Sequence, residues 1–574
     1  MDWALKQELR EQLAEEEGYY SYPVGTRTRF ALAYPNSYFV GMSNLGMHII
    51  YKLLNERDDT ACERAFLPDR HKIARYEKTR TPIMSMETQT PLHEFDLLGF
   101  VVSFEMDYFH LLKMLSLGRI KLRSSERGES APLVIAGGPC ATFNPEPLSL
   151  AVDAFIIGEG EIIMPLFMEA YHAGRHAGED RRTLLNRLAQ VPGVYVPSLY
   201  EHRYREDGSL AVIIPGEGAP AKIKRQWVKD LDAFPAHTVV RTDHTEFNFY
   251  LIETARGCGR HCRFCMAGYC FRRPRNRSLE VIKEEVREAL PYGKRLGLMG
   301  AAISDYPEIN ELCRNVLDAG LSMSVASFRA DSVTEELVKA LAQSGLKTLT
   351  IAPEAGSRRM RKVINKGIEE EHVFKTMELG LAAGVQHFKL YLMLGLPFEE
   401  QADIEAIADM ANRLKDFMEE KGSKGYLTLS VNPFIPKPFT PFQWSPMAEK
   451  KYVEGGFKFL QQSLKKRKHI IINVESPKEA YIQGVLARGG RRVAEALLRA
   501  AELGGSKSFK KAMKEKGLSV ETELYRERQE QETFPWEILD VGVAREYLYE
   551  ELRKAEALKP TVPCFAGCHR CGVC

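Results

Sequence analysis

Residues 250–265 read YLIETARGCGRHCRFC, an apolar strand-like run followed by a loop that holds Cys258, Cys262 and Cys265. Three residues separate the first two cysteines and two residues separate the second from the third, so the three thiolates can wrap one compact metal cluster. Soft thiolate sulfur suits iron–sulfur clusters or zinc. Three ligands leave one iron of a 4Fe-4S cluster open to a substrate or cofactor. The alternative interpretation is a zinc site with Cys270 as the fourth ligand.

This strand-like run opens a regular alternation of strands and helices between residues 237 and 445. The predicted strands are 249–254, 296–300, 322–327, 348–352, 388–393 and 427–431. Helical patterns fill each gap between them. The alternation predicts a partial (β/α)6 barrel whose active site lies at the carboxyl ends of its strands.

An earlier alternation, over residues 1–195, predicts a separate Rossmann-like parallel sheet. Its predicted strands are 27–33, 97–104, 133–136 and 154–157. Glycines stand where the last two of these end, and such strand ends are where doubly wound sheets bind ligands. The remaining predicted segments are a hairpin or linker at 196–236, a mostly helical region at 446–557 and a cysteine-rich tail at 558–574. The predicted fold class is therefore α/β throughout, with a helical C-terminal region.

The composition is that of an ordinary globular protein. The chain has 574 residues, 44% hydrophobic and 27% charged, and its net charge of +2 selects no polyanionic or polycationic partner. No apolar run approaches the roughly 18 residues of a membrane span. The first residues are acidic and lack the apolar core of a signal peptide. We expect a cytoplasmic protein whose grouped cysteines serve metal or redox chemistry.

The cysteine loop and the strand ends around it resemble the radical S-adenosylmethionine superfamily over residues 245–440. The resemblance begins with the CxxxCxxC motif, which has the aromatic Phe264 before its third cysteine. It extends to Ser327 and Arg329 after the third strand. These two residues are similar to positions that contact the ribose and the carboxylate of S-adenosylmethionine.

Later strand ends carry more of the same resemblance. Glu354, after the fourth strand, is similar to a cofactor-contacting residue, and Gly395 and Pro397, after the fifth, match a turn near the adenine. One position departs from the family pattern. The usual Gly-Gly-Glu after the second strand is here Gly300-Ala-Ala, which puts the contact with the cofactor's amino group in question.

The resemblance implies an enzyme that reductively cleaves S-adenosylmethionine at a 4Fe-4S cluster. The resulting 5′-deoxyadenosyl radical would abstract hydrogen from an unactivated position, and an external electron donor of the flavodoxin or ferredoxin kind would supply the electron. An alternative is cobalamin-independent modification of RNA or nucleotides. Methylthiolation of the tRNA-modifying type is disfavoured, because its additional N-terminal three-cysteine cluster is missing. From another class, the chain could be a non-catalytic cobalamin or redox sensor.

The first sheet resembles the cobalamin-binding domain that precedes many radical enzymes of this superfamily. Gly137, Gly138 and Gly158 stand at its strand ends, where glycine allows the close approach of a flat corrin. The Asp-x-His-x-x-Gly motif that supplies a lower ligand to cobalt is absent, and His110 is read as a core or helix-surface histidine. Bound cobalamin would then have no protein imidazole on cobalt. The alternative is a sheet that has lost its ligand.

The tail repeats the three-then-two spacing and adds a fourth thiol, with Cys564, Cys568, Cys571 and Cys574. Four thiolates can close a metal site completely, which predicts a structural or electron-transferring centre. Zinc sites usually separate their cysteine pairs by a longer loop, whereas ferredoxins space them this densely. A second iron–sulfur cluster is therefore favoured, with zinc and disulfide chemistry as alternatives.

Charge is unevenly distributed in the region before the tail. Residues 449–516 hold 17 Lys and Arg against 7 Asp and Glu, and residues 521–557 hold 11 acids against 5 bases. The basic stretch could follow the phosphate backbone of an RNA. Pairing within the protein or with solvent is the favoured interpretation, since the basic stretch lacks regular aromatic residues.

Overall fold

The protein is described from a computed structural model, which covers residues 2–573 except positions 24, 247, 294 and 327. Two predicted site residues, Ser327 and Cys574, therefore lie outside the described residues.

The N-terminal part is a six-stranded sheet with helices on both faces. Its strands are β1 (Thr28–Tyr34), β2 (Thr60–Phe66), β3 (Leu97–Val101), β4 (Leu133–Gly137), β5 (Ala154–Ile156) and β6 (Val194–Tyr195). Its helices are α1 (Trp3–Ala14), α2 (Tyr38–Gly41), α3 (Leu45–Asn55), α4 (Arg70–Thr79), α5 (Asp107–Leu117), α6 (Pro139–Phe143), α7 (Gly160–His176) and α8 (Arg181–Leu188).

The strand order is β2-β1-β3-β4-β5-β6, and only the last pair is antiparallel. The predicted parallel sheet is thus confirmed, with β2 and β6 added to the four predicted strands. The sequence TACERAF of β2 does not look like a buried strand. Its Arg64 is nevertheless buried, because Glu16 and Glu87 both pair with the guanidinium. Such compensation between distant residues leaves no local hydrophobic pattern.

Three short strands connect the two large sheets: β7 (Tyr200–Tyr204), β8 (Leu210–Pro215) and β9 (Ile223–Lys224). The antiparallel pair β7–β8 forms a hairpin around Gly208, whose φ of 82° suits glycine. The sequence Asp207-Gly208 predicts this hairpin.

The central part is the predicted barrel. Its elements are β10 (Tyr250–Glu253), β11 (Ala255–Arg256), α9 (Ala267–Cys270), β12 (Arg275–Asn276), α10 (Leu279–Ala289), β13 (Arg295–Met299), α11 (Ile309–Asp318), β14 (Ser322–Ser324), α12 (Glu335–Gln343), β15 (Thr348–Glu354), α13 (Arg358–Val363), α14 (Glu370–Ala382), β16 (His387–Leu394), α15 (Gln401–Glu420) and β17 (Leu427–Pro433). Strands β10, β13 and β14 form one parallel sheet. A parallel bridge from Phe328 to Ile351 links it to the sheet that begins with β15.

The C-terminal part contains α16 (Lys450–Leu464), β18 (Ile470–Val474), α17 (Pro477–Arg488), α18 (Arg491–Glu502), α19 (Phe509–Glu515), β19 (Leu539–Asp540) and α20 (Arg545–Glu556). The partial barrel has a seventh parallel strand, because β18 pairs with β17. The sequence predicted only six strands and a helical region from residue 446. The β-branched run IIINV is typical of a strand, but the prediction missed β18 because helical patterns lie on both sides of it and the whole stretch was interpreted as helical. None of the described helices has the length and apolarity that a membrane crossing requires.

Candidate active site

The loop with the three cysteines lies between β11 and β12, at the carboxyl end of the first barrel strand. Gly257 starts the loop with a φ of 76°, and a Cβ there would collide with the carbonyl of Phe271. The backbone N–H of Arg260 lies 3.4 Å from the Sγ of Cys258, and the N–H of Cys265 donates to the carbonyl of Cys262 at 3.0 Å. The loop is therefore a compact turn that returns on itself around the cysteines.

The chemistry of these three thiols fits an iron–sulfur cluster. Burial raises the pKa of Cys258, and burial together with the charges of Cys262 and Cys258 raises the pKa of Cys265 to about 11. Neighbouring thiolates thus oppose one another unless a cation is shared between them. In the part of the chain that the structure describes, no set of three His, Cys, Asp or Glu side chains is gathered as metal ligands are. The fit of an iron–sulfur cluster therefore rests on the presence of three thiol ligands and on their position after the first barrel strand.

Two predicted cofactor residues meet at this loop. The Arg329 Nη1 lies 3.8 Å from the Sγ of Cys262, and its guanidinium also contacts Asp331 and the carbonyl of Lys366. Glu354 ends β15 with a φ of 69°, which is a strained conformation for a non-glycine residue, and its carboxylate is 3.1 Å from the Lys366 Nζ. Arg329 thus lies beside Cys262, and Glu354 is connected to Arg329 through Lys366, which binds both.

The loop after β13 supplies an acid that the sequence prediction missed. Where the family pattern has Gly-Gly-Glu, Asp305 follows Gly300 by five positions and pairs with Arg260 of the cysteine loop at 2.7 and 2.9 Å. Burial raises the pKa of Asp305, but its hydrogen bonds with Arg260 and Ser332 lower it overall. Asp305 is the first acid after Gly300, which is the signal that could have identified it.

The remaining predicted cofactor residues of the barrel divide between two places. Phe264 packs with the apolar group around Leu396, and its ring lies 5.8 Å from the Lys366 Nζ. Gly395 and Pro397 line a separate cavity of about 710 Å³, and the N–H of Gly395 donates to the Glu399 carboxylate at 2.6 Å. A contact of this turn with the adenine stays a prediction.

A cavity of about 480 Å³ lies between the first sheet and the barrel. The three predicted glycines, Gly137, Gly138 and Gly158, all line it, and Gly300 lines it from the barrel side. Its walls are mostly apolar. They include Phe30, Leu32, Ile49, Ile50, Phe100, Val101, Ile135, Ile156 and Met164. Arg256 and Phe271, which flank the cysteine loop, belong to the same wall, so the cavity extends to the base of that loop.

The motif Gly158-Glu-Gly-Glu161 joins the two sheets. Glu159 pairs with Arg275 at 2.7 Å and with Arg256 at 3.0 Å, and Glu161 pairs with Arg256 at 2.6 Å. A Cβ on Gly158 would collide with the backbone of Gln226. The φ of 124° at Gly158 and the close approach of the linker thus provide a reason for glycine that is independent of any corrin.

The rear of the cysteine loop is covered by α20 and the chain after it, which sequence reasoning did not predict. Arg263 of the loop pairs with Glu551 of α20 at 3.2 Å, and neither side chain is exposed. Asn365 donates to the carbonyls of His261 and Thr561 at 3.0 and 2.9 Å. These contacts lock the C-terminal segment onto the loop.

The three tail cysteines that the structure describes are less exposed than the residues around them. Cys568 and Cys571 are buried and Cys564 is half-buried, whereas Val562 and Phe565 are exposed by 59% and 61%. A hydrogen bond from Arg570 lowers the pKa of Cys568. The three described thiols are thus partly or wholly shielded from solvent, although they are not gathered as metal ligands are.

Much of the basic stretch 449–516 is paired within the protein. Arg491 contacts the buried Glu146 at 3.1 Å, and Arg499 contacts Glu515 at 2.7 Å. Lys465, Lys466 and Lys468, at the end of α16, stay exposed. Part of the positive charge thus belongs to the packing of α18 against the first domain.

A partial barrel with three cysteines after its first strand and a preceding doubly wound sheet defines a class of iron–sulfur enzymes. The sequence model described as "Radical SAM superfamily" matches residues 252–411, and the one described as "Radical SAM proteins, N-terminal" matches residues 46–197. The chain belongs to the radical S-adenosylmethionine superfamily. It is therefore an enzyme, and family membership implies S-adenosylmethionine and a 4Fe-4S cluster as its cofactors. The sensor interpretation is set aside.

One curated relative extends over most of the chain and another over about half of it. An uncharacterized protein of Methanocaldococcus jannaschii is 28% identical over 81% of this chain and 90% of its own length. An uncharacterized methyltransferase of Pyrococcus horikoshii is 24% identical over 49% of this chain and 58% of its own length. The radical S-adenosylmethionine methyltransferase TsrM of Kitasatospora setae, solved with cobalamin and a [4Fe-4S] cluster bound, has the same fold. Its TM-score is 0.51, at 14% identity over 85% of this chain and all of that one.

Proposed function

We propose that this radical S-adenosylmethionine enzyme binds cobalamin between its first sheet and its barrel and transfers a methyl group to an unactivated carbon. The cavity of about 480 Å³ carries the proposal, because the glycine-bearing strand ends and the base of the cysteine loop share it. The methyltransferase name of the Pyrococcus horikoshii relative supports the reaction type. Cobalamin in the TsrM structure makes it the ligand to test.

The lining of the cavity suits a large, flat and mostly apolar ligand. Apolar side chains form most of the wall, and a few polar groups, such as Asn44, Ser103 and Thr142, could orient a ligand. None of the described lining residues is a histidine. We therefore propose that the corrin binds without a protein imidazole on cobalt.

In the proposed reaction, Cys258, Cys262 and Cys265 would hold the 4Fe-4S cluster. When bound, this cluster supplies one electron for the cleavage of S-adenosylmethionine. The guanidinium of Arg329, fixed by Asp331, is available to the carboxylate of the cofactor, and Glu354 is available to its hydrogen-bond donors. Cys262 is buried and the other named groups are half-buried, which limits the access of water to the radical chemistry.

Two measurements on the full chain test the proposal. Titration with hydroxocobalamin should shift its visible spectrum, and no shift up to about millimolar concentration, or roughly 4 kcal/mol of binding, would favour a sheet without ligand. Under dithionite the reconstituted enzyme should form 5′-deoxyadenosine. The triple variant Cys258→Ala, Cys262→Ala, Cys265→Ala should form none.

We also propose that Cys564, Cys568, Cys571 and Cys574 bind a second iron–sulfur cluster. The shielded thiols and the dense spacing support iron, and a zinc site is the alternative. The variant Cys564→Ser, Cys568→Ser, Cys571→Ser, Cys574→Ser, which keeps the contacts of Lys559 and Thr561 with the cysteine loop, should lower the iron content by about four per chain and leave dithionite-driven 5′-deoxyadenosine formation largely intact. Loss of one zinc and no iron would make the tail a structural zinc site.

Three further expectations complete the proposal. The electron comes from a flavodoxin- or ferredoxin-like donor. The enzyme works in the cytoplasm, where reduced thiols persist.

RNA is the alternative substrate, favoured by the exposed lysines at the end of α16. RNA that copurifies and loses affinity steeply with salt would identify it.

A further inference from the structure

The tail touches the cysteine loop between the first two cluster cysteines. The backbone N–H of Cys564 donates to the carbonyl of Gly259 at 2.8 Å. The Sγ of Cys564 lies 3.5 Å from the Nε2 of His261. Because Gly259 and His261 both stand between Cys258 and Cys262, a tail thiol is one hydrogen bond away from the backbone that carries the first cluster.

The hydrogen bonds of His261 determine which ring nitrogen carries the proton. Its Nδ1 is 2.8 Å from the Nη2 of Arg272 and 2.6 Å from the hydroxyl of Tyr547. A guanidinium can only donate, so Nδ1 accepts, and the proton of the neutral imidazole is on Nε2. The Nε2–H therefore points toward the Sγ of Cys564 and can donate to a thiolate there.

Two arginines, the buried Arg272 and the exposed Arg570, lie close to the tail sulfurs. Arg272 is 1% exposed, its charge interacts with Cys564 and Cys571, and its Nη1 has no hydrogen-bond partner among the described residues. The Nε of Arg570 is 3.1 Å from the Sγ of Cys568. A buried cation needs a nearby anion, and a centre ligated by four thiolates is anionic.

We propose that the tail cluster is the site where electrons enter the enzyme and pass to the loop cluster through the contacts of Cys564 with Gly259 and His261. This inference rests on the tail cluster proposed above. A low-potential flavoprotein or ferredoxin gives one electron to the tail cluster. The tail cluster is reoxidised when the loop cluster is reduced, and no bond or proton changes place.

The arrangement of the two sides of the loop favours this route. In the proposed function, S-adenosylmethionine and the corrin would occupy the barrel side of the loop, which leaves the rear of the loop accessible to an electron donor. The tail covers that rear, and its outer face exposes Val562 and Phe565, with Lys559 and Arg570 also exposed. An exposed apolar surface bordered by bases suits an acidic electron carrier.

Freeze-quench electron paramagnetic resonance on the full, anaerobically reconstituted chain tests the inference. The measured quantity is the rate at which the loop cluster is reduced, with either reduced flavodoxin or dithionite as the donor. In Cys564→Ser we expect the flavodoxin-driven rate to fall at least about tenfold and the dithionite-driven rate to change much less. Cys313→Ala, which changes a buried cysteine on α11 outside both cysteine groups, should retain both rates.

His261→Ala is the second variant, since it keeps all seven proposed ligand cysteines. We expect unchanged iron content and a slower flavodoxin-driven reduction, partly restored in His261→Gln. Equal flavodoxin-driven rates in wild type, Cys564→Ser and His261→Ala would overturn the relay and leave the tail cluster in place. One zinc with about four irons per wild-type chain would overturn both the relay and the tail iron–sulfur cluster, because zinc has no redox chemistry. Neither result depends on methyl transfer. Failure of the relay can therefore be distinguished from failure of the proposed methyl-transfer reaction.

Discussion

Arg263 and Glu551, which are 288 positions apart in the chain, form an ion pair in which neither side chain reaches solvent. Arg263 lies inside the CxxxCxxC motif and Glu551 lies on the last helix. The pair therefore makes the geometry of the cysteine loop dependent on the C-terminal segment. Arg263 also donates to the carbonyl of Lys559, at the start of the tail, which strengthens that dependence.

Glu551→Ala should destabilise the protein, because it leaves the Arg263 guanidinium buried without its carboxylate. We expect a loss of about 3–5 kcal/mol in the free energy of unfolding. Urea denaturation followed by tryptophan fluorescence measures it. The matched control is Glu550→Ala, which removes an exposed partner of Lys554 and should cost about 1 kcal/mol or less. Similar losses in both variants would contradict a structural role for the buried pair.

Arg329→Lys should weaken the binding of S-adenosylmethionine while the iron content stays unchanged. A lysine keeps the charge but cannot hold Asp331 through two hydrogen bonds, as Nε and Nη2 of Arg329 do, while another N–H group is left for the cofactor's carboxylate. We expect the KM for S-adenosylmethionine in 5′-deoxyadenosine formation to rise at least about tenfold. Arg358→Ala removes an arginine that is 69% exposed and should leave KM unaltered. An unchanged KM in Arg329→Lys would contradict a role of Arg329 in binding the carboxylate of S-adenosylmethionine.

Gly137→Val should block cobalamin binding without unfolding the first domain. An added Cβ meets its nearest atom, the Cβ of Ile156, at 3.5 Å, so the side chain fits and fills the cavity. The Kd for hydroxocobalamin should rise more than about tenfold, with the thermal midpoint nearly unchanged. Gly128→Val, at an exposed position with open space around it, is the control.

Gly138→Val should lower stability whether or not cobalamin binds. Its φ of 103° disfavours any side chain, and a Cβ would lie 2.7 Å from the carbonyl oxygen of Val102. We expect a cost of about 1–3 kcal/mol, visible as a lower thermal midpoint of the apoprotein. A thermal midpoint equal to that of Gly137→Val would contradict this prediction, because it would show that the backbone at position 138 shifts to accommodate the side chain.

His48 should make the stability of the protein depend on pH. Its Nε2 donates to the carbonyl of Met42 at 3.0 Å, and its Nδ1 accepts from the N–H groups of Val239 and Val240. Burial lowers the pKa of His48 to about 4, with a further contribution from the charge of Arg64. The folded state therefore favours the neutral ring. Its stabilising contribution is complete above the unfolded pKa of about 6.5 and is lost as the pH falls toward 4.

The measurement compares urea midpoints of wild type and His48→Gln between pH 7.5 and 5. The wild type should lose about 1.4 kcal/mol per pH unit below about 6.5 relative to the variant. His71→Gln, at an exposed histidine, should follow the wild type. Parallel pH profiles for wild type and His48→Gln would show that His48 is already protonated in the folded state or free to ionise.

Local sequence was sufficient to predict those structural features that depend on short spacings along the chain. The three cysteines with their preceding strand, the hairpin at Asp207-Gly208 and the alternation of strands with helices are all written within about ten to twenty neighbouring residues. Buried parallel strands such as β3 and β4 were predicted because both of their faces are apolar. The fold class and the family followed from these features.

Tertiary structure alone decided the features that join distant parts of the chain. The strand β2 is buried through ion pairs of Arg64 with Glu16 and Glu87, which no periodicity reveals. The motif around Glu159 and Glu161 binds arginines about a hundred residues away. The tail reaches the cysteine loop across some three hundred residues. Sequence by itself determined the donor atoms and the strand ends, since both depend on short spacings. Only the fold decided which charges, loops and sulfurs meet, because those contacts depend on how separate elements pack.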